Sequence, residues 1–411
     1  MNHKNNIQKS LLASIVVLLF SNYNAQTNNN DVNFELGKGL NVELNNGAYN
    51  FNIGGFIQPN FVYSKSQEAD SQTRFGIKRT YLSVSGNAAK EKVSFLLQMD
   101  FTDSTPLLDA WIAYAPFKSL KISAGQKQTF TNNLEMTFLE SNLSMTDRSI
   151  LSSSLANTGR EFGLFVESDF KLGGFVIAPK VAVTSGDGRN SFGTSSTDPD
   201  KGGLKYGGRL DIYPFGSFTG NNDLIEADLA YESTPKVKLG VAGSYNKGAS
   251  DSKGDAHGNF VLYGADGKEK LPDYRKFYVD VLAKYKGLSV IGEYANATGT
   301  SLTGIYTDTG AVNGLISQQI ADYLVLGSIY NFQVGYVLKS GYALDLRYSQ
   351  VSPEFETTTS ILKETRAYNA SLTKYFIDNR LKIQGGFSYL DYSNKELKNN
   401  VQAELIFQII F

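Results

Sequence analysis

The chain has 411 residues, with 39 basic and 40 acidic side chains, a net charge of −1 and no cysteine. The charge balance argues against nucleic acid as a partner, and the lack of cysteine excludes disulfides, zinc-thiolate sites, cysteine nucleophiles and a lipidated cysteine anchor. No internal apolar run reaches the ~20 residues of a membrane helix, whereas a β-barrel, which alternates apolar and polar residues along each strand, remains open to a chain of this length.

Lys4 and Lys9 precede an apolar stretch from Leu11 to Phe20 that is too short to span a bilayer, and small or polar residues follow to Ala25 and Gln26. The pattern predicts a secretory signal peptide over residues 1–25, although Tyr23 departs from the small-residue rule before the cut. Residues 26–49, rich in Asn with weak alternation, read as a periplasmic lead-in, and residues 50–411 as an outer-membrane β-barrel.

Between Asn50 and Tyr63, the side chains of Phe51, Ile53, Ile57, Phe61 and Tyr63 share one face, while Asn52, Gln58 and Asn60 share the other. Pro59 cannot donate to a ladder and predicts a bulge. Further strands are expected over residues 75–86, 92–101, 107–115 and 120–127. Residues 129–158 then lose any sustained period and are rich in Asn, Ser and Thr, with Glu135, Glu140, Asp147 and Arg148 among them. Alternation resumes over 162–166, 175–183, 204–213, 237–245, 275–285, 288–296, 325–339, 342–349, 365–376 and 381–391. In the last stretch, Val401, Ala403, Leu405, Phe407, Ile409 and Phe411 alternate with Gln402, Glu404 and Gln408. Such a strand, ending on an aromatic residue, resembles the terminal signal of bacterial outer-membrane barrels.

The count is about 16 strands if Ile225 to Tyr231 is left as connection. An even number places both termini in the periplasm, and makes residues 214–236 an unusually long periplasmic connection. The 24 Tyr, 26 Phe and 39 Gly suit interfacial girdles and turns. Leu315, Ile316, Ile320 and Leu324 have roughly helical spacing and predict a short helix that plugs the lumen or packs on a neighbour.

Catalytic chemistry finds little support. After signal removal His257 is the only histidine, in a Gly- and Asp-rich stretch, and reads as an exposed loop residue without a nucleophile on a nearby strand. Glu161 and Glu167 form a carboxylate pair, but along a barrel wall. Asp187, Asp198 and Asp200 suit a turn as well as a divalent cation. No catalytic residue, metal or cofactor is assigned.

What remains is the pore wall. Turning each strand's more polar face inward points Arg79, Lys121, Lys127, Lys180, Lys205, Arg209, Lys238, Lys276, Arg347 and Lys382 into the lumen. The same rule places Asp100, Asp109, Glu161, Glu167, Asp211, Asp280, Glu293, Asp345 and Glu404 there. Opposed charges on a lumen wall set up a transverse field that aligns polar solutes; the plainer reading is a set of salt-bridge ladders that stiffen the wall.

From Phe51 to Phe411 the sequence resembles the phosphate-selective porin O and P family in its Bacteroidetes branch. The residues that carry the likeness are Gly54-Gly55-Phe56, the run Phe95-Leu96-Leu97-Gln98-Met99-Asp100, Leu108-Asp109-Ala110-Trp111, Gly125-Gln126-Lys127, Thr146-Asp147-Arg148-Ser149 and Gly159-Arg160-Glu161-Phe162-Gly163. Arg209 before Tyr213-Pro214-Phe215-Gly216, Thr234-Pro235-Lys236 and Gln333-Val334-Gly335-Tyr336 complete the pattern. The resemblance implies a homotrimeric porin of 16 strands in outer-membrane lipid and lipopolysaccharide, with the loop after the fifth strand folded inward as a constriction. Arg148 would then face the channel or pin that loop. It also implies phosphate passage along inward basic residues, because a guanidinium fork matches phosphate oxygens. The chain departs from that design in its few arginines and in Glu135 and Glu140. Two functions are therefore carried forward: a passive channel for small polar solutes or ions, anions such as phosphate included, and a non-conducting accessory barrel of an outer-membrane assembly.

Overall fold

The computed structural model describes residues 30–89, 91–189, 202–256, 258–394 and 396–411. The expected signal peptide, His257, Asp198 and Asp200 lie outside the described residues.

A hairpin, β1 (Asp31–Glu35) and β2 (Gly39–Leu44), precedes the wall. The first half of the wall is β3 (Tyr49–Ser66), β4 (Gln72–Ala88), β5 (Val93–Asp100), β6 (Leu107–Phe117), β7 (Leu120–Gln128), β8 (Arg160–Ser168) with its short continuation β9 (Phe170–Leu172), β10 (Phe175–Thr184) and β11 (Lys205–Tyr213). The second half is β12 (Lys236–Asn246), β13 (Asp273–Tyr285), β14 (Leu288–Thr300), β15 (Gly327–Val337), β16 (Tyr342–Pro353), β17 (Thr365–Ile377), β18 (Leu381–Tyr392) and β19 (Asn400–Ile410). With β8 and β9 taken as one, the wall has sixteen strands, each antiparallel to the next, and β19 pairs with β3 to close the barrel. Closure leaves the sixteen-stranded wall without a free edge, which is what a sheet surrounded by lipid requires.

The seam explains the shape of both chain ends. Gly55 and Phe411 exchange backbone hydrogen bonds at 2.8 and 2.9 Å. Below that point β19 has ended, and β2 takes its place beside β3, from Leu40 opposite Ile53 to Leu44 opposite Tyr49. The lead-in is thus a hairpin that continues the sheet. Pro59 behaves as its chemistry dictates: the β3–β4 register shifts between Gln58 and Pro59.

Period-two alternation sorts the side chains. Ile112, Leu164, Val181, Leu239, Phe332, Leu344, Leu372 and Phe407 point outward and are exposed, as an apolar band against lipid demands. Tyr294 stacks obliquely on Tyr330 at 4.9 Å, and Tyr348, Tyr368 and Tyr389 follow in sequence at 5.3 and 6.3 Å. These rings on neighbouring strands form one arc of an aromatic girdle.

Two long connections fold into the barrel. Residues 129–159 link β7 to β8 and carry the short helix α1 (Ile150–Leu155), started by Ser149, whose hydroxyl accepts the Ser152 amide at 3.2 Å. Residues 214–235 link β11 to β12 without a strand, with a 3-10 turn at Thr219–Leu224. The helix predicted near Leu315 is α2 (Ser317–Ile320); Ile320 and Leu324 are buried against Leu151 and Leu155 of the α1 helix, while Ile316 is exposed.

Candidate functional site

Strand register sets the inward rows. Asp211, Gly240, Asp280, Glu293, Asn331 and Ser349 stand opposite one another in turn from β11 to β16. Gly240 has no side chain, and its place is taken by the Arg209 guanidinium, which bonds Asp211 at 2.7 Å and Asp280 at 2.6 Å. A Cβ on Gly240 would lie 2.1 Å from Asp280 Oδ1 and 2.2 Å from Arg209 Nη2.

The sixteen candidate residues fall into two sets. Arg79, Lys121, Arg148 and Lys180 keep partial access, and all four are basic. Asp100, Asp109, Lys127, Glu161, Lys205, Arg209, Lys238, Asp280, Glu293, Asp345, Arg347 and Lys382 are buried. Asp100 is consumed by a turn, accepting from Thr102 N at 3.0 Å and Thr102 Oγ1 at 2.7 Å. Glu161 accepts from Lys205 and from Thr184 Oγ1, and Lys127 pairs with Glu167, so the carboxylate pair of the sequence is split between two cations. Lys180 bonds Asp211 at 2.9 Å, and Lys238 lies 3.7 Å from Asp223.

Much of this burial comes from residues 129–159. Asn133 Nδ2 and Glu135 N donate to Glu293 at 2.9 and 2.8 Å, and Arg347 Nη2 meets Glu135 at 2.5 Å. Lys382 donates to the carbonyls of Ser141 and Leu143 at 3.1 and 2.7 Å. On the opposite side, Arg160 of β8 approaches Asp109 and Glu140, each at 3.3 Å. Arg148 pins the segment to itself, donating to the carbonyls of Glu135 and Phe138 and to Glu140 at 2.6, 2.9 and 2.8 Å. Burial by itself raises a carboxyl pKa, yet Arg160 and Arg148 hold Glu140, and Arg347 and Arg148 hold Glu135, below the usual carboxylate range. The segment is therefore fastened by charge-assisted bonds at several points around the wall.

An open cavity of about 460 Å³ remains between this segment and the wall of β3, β4 and β19, lined by Asn60, Arg74, Lys78, Asp147, Gln402 and Glu404. Lys78 bridges Asp147 and Glu404 there, at 2.7 and 2.6 Å. Farther along, Lys121 and Lys127 flank the Trp111 ring at 5.7 and 5.5 Å.

Sequence reasoning missed several partners, Lys78 among them. Lys284 lies on the face of Lys276 and Asp280 and was legible from period two. Glu226 and Ser144 sit in irregular chain, where no period marks them. Among the described residues, no group of three or more His, Asp or Glu is placed to hold a metal ion.

No protein-family model matches the sequence, and no curated protein matches it. Solved structures do match. An anion-selective porin from Comamonas acidovorans shares 10% identity at a TM-score of 0.54, covering 88% of this chain and 100% of that one. OprB of Pseudomonas putida shares 11% at 0.51, covering 88% and 94%. The outer membrane channel DcaP of Acinetobacter baumannii shares 12% at 0.51, covering 89% and 98%. At these identities the likeness is one of fold. A closed antiparallel barrel with an apolar exterior and a charged interior is an outer-membrane barrel, and this chain is one, belonging in the outer membrane of a Gram-negative bacterium. Its architecture is that of the porins.

Proposed function

We propose that the chain is an outer-membrane porin for passive diffusion of small polar solutes and ions, with a mild preference for anions. The observation that carries the anion preference is the sorting of charge by access. Arg79, Lys121, Arg148 and Lys180 stay accessible among the candidates, whereas Asp100, Asp109, Glu161, Asp280, Glu293 and Asp345 are buried. Asp147 and Glu167 face the same space, paired with Lys78 and with Lys127 and Lys121, as Arg148 and Lys180 are paired with the buried Glu140 and Asp211. A path walled this way concentrates anions by its field. The similarity to porins, one of them described as anion-selective, supports this reading. The sequence motifs support the phosphate-selective O and P family, with phosphate as one solute and a homotrimer as the assembly.

Reversal potentials of the mature protein in a planar bilayer under a potassium chloride gradient test the proposal. An anion-preferring sign that weakens in Arg79→Gln with Lys121→Gln is expected; a cation-preferring sign refutes the selectivity. Chloride current blocked by low phosphate supports phosphate as a solute. A second reading, the non-conducting accessory barrel, is favoured by the apolar filling of part of the lumen, where Leu134, Phe138 and Leu143 pack with Phe218, Leu282 and Ile291.

A further inference from the structure

We propose that the periplasmic connection between β11 and β12 is a latch that holds residues 129–159 across the lumen, so that the described conformation is a closed form of the channel. This rests on the porin reading. The two segments enter from opposite ends of the barrel and meet inside it. The Glu226 carboxylate accepts from Ser144 N at 2.6 Å, Ser144 Oγ at 3.1 Å and Gln333 Nε2 at 3.3 Å. Two further bonds reinforce the contact: the Glu226 amide donates to Asn142 O at 3.1 Å, and the Asn142 side-chain Nδ2 donates to Leu224 O at 2.9 Å. Phe218 of the connection packs into the same cluster as Leu134, Phe138 and Leu143 of the inward loop. An apolar core shared by two loops is unexpected in a water-filled pore, and its removal from water stabilises their contact.

The latch is itself held by the wall. Lys284 of β13 donates to the carbonyls of Asn222, Ile225 and Ala227 at 2.5, 2.6 and 2.9 Å. Asp228 accepts from Gly287 N at 2.7 Å, and Tyr231 donates to Val337 O at 2.6 Å. Glu232 closes the connection on itself by accepting from Thr219 N and Oγ1 at 2.8 and 2.9 Å. A passive linker between adjacent strands needs none of these bonds. The latch also borders an open cavity of about 640 Å³ on the periplasmic side, lined by Asn142, Asn222, Ile225, Leu229, Asn379 and Arg380. Glu226 also lies 3.8 Å from Arg347 Nη2, so release from that side loosens residues 129–159 at Ser144 and leaves Arg347 its shorter contact with Glu135.

Single-channel recording in planar bilayers tests this with four proteins: the mature chain, Glu226→Ala, Lys284→Met, and a variant in which residues 133–154 are replaced by a short Gly-Ser link. Each is first shown to be folded by its heat-modifiable gel mobility. The loop-replaced protein is expected to conduct, and the two latch variants to show at least a several-fold higher open fraction than the unaltered chain. Lys284→Met, which removes the connection's hold on the wall and leaves the Glu226 side chain itself unaltered, keeps the test decisive if Glu226→Ala does not fold. If the loop-replaced protein conducts but the latch variants match the unaltered chain, the latch is refuted and the porin reading stands. If the unaltered chain already conducts like the loop-replaced one, the latch is likewise refuted. If the loop-replaced protein is folded and silent, the porin reading falls and takes the latch with it.

Discussion

The Arg347 guanidinium on β16 meets the Glu135 carboxylate at 2.5 Å, both side chains fully enclosed and separated by 212 positions in sequence. Glu135 also accepts from Ser149 N and Oγ and from Ser152 Oγ at the start of α1. One buried pair thus ties the inward segment to the wall and positions its helix.

Removing one partner strands the other. Arg347→Ala is expected to cost about 3 kcal/mol in the docking of residues 129–159, because the Glu135 carboxylate stays buried without its closest cation, with Arg148, Ser149 and Ser152 left to compensate it. Arg347→Met combined with Glu135→Gln should cost less. Hydrogen exchange at Ser149 and Ser152 checks both: protection falls by orders of magnitude in the single variant and by less in the double.

Acid should loosen the same segment. Burial raises the Glu140 carboxyl, but Arg160 and Arg148 overcome it and leave the folded-state pKa depressed, as Arg347 and Arg148 do for Glu135. A depressed carboxylate stabilises the fold above its unfolded-state pKa, and the contribution is lost as pH falls through the folded value. The contribution of Glu135 and Glu140 to docking is therefore expected to be lost only below about pH 4. Proteolysis of the inward loop across that range is the readout; equal protection at pH 3 and pH 7 would contradict it.

Gly240→Ala tests the close approach on β12. The new methyl would overlap Arg209 and Asp280, both buried and bonded to each other. We expect a loss of about 2–4 kcal/mol, seen as a lower urea midpoint, whereas Gly174→Ala, which meets nothing within 4 Å, should leave the midpoint unchanged.

Adjacent residues on β16 test the orientation of the whole strand. Leu346 points outward and is 49% exposed, while Arg347 points inward and is 4% exposed. Leu346→Arg puts a charge into lipid and is expected to cost about 2–4 kcal/mol. Leu346→Phe should be neutral. Folding yields in lipid vesicles separate the two; equal yields would refute the register.

The wall was legible because alternation is a local property. Each strand had to present one apolar and one polar face, so Leu346 and Arg347, or Phe407 and Gln408, declared their sides without knowledge of any partner. Pro59 marked its own bulge because it lacks a donor. Keeping the strand count even left residues 214–236 as connection, and they carry no strand, while Phe411 at the end of an alternating run foretold the strand that closes on Gly55.

The interior obeyed different physics. Which charges meet depends on stagger between strands and on chain that crosses the lumen, so the pairing of Arg347 with Glu135, the use of Lys284 and Lys382 as donors to backbone carbonyls, and the contact of Glu226 with Ser144 had no periodic trace. The inward rows read as pore lining are largely covered, because irregular segments must bury their apolar residues and satisfy their backbone groups somewhere, and the barrel offered the nearest enclosed wall. Sequence alone determined that this chain makes a membrane barrel with a charged lining, since that follows from a two-residue repeat. Only the tertiary structure decided which of those charges still face water, since that depends on loops brought together from opposite ends of the barrel.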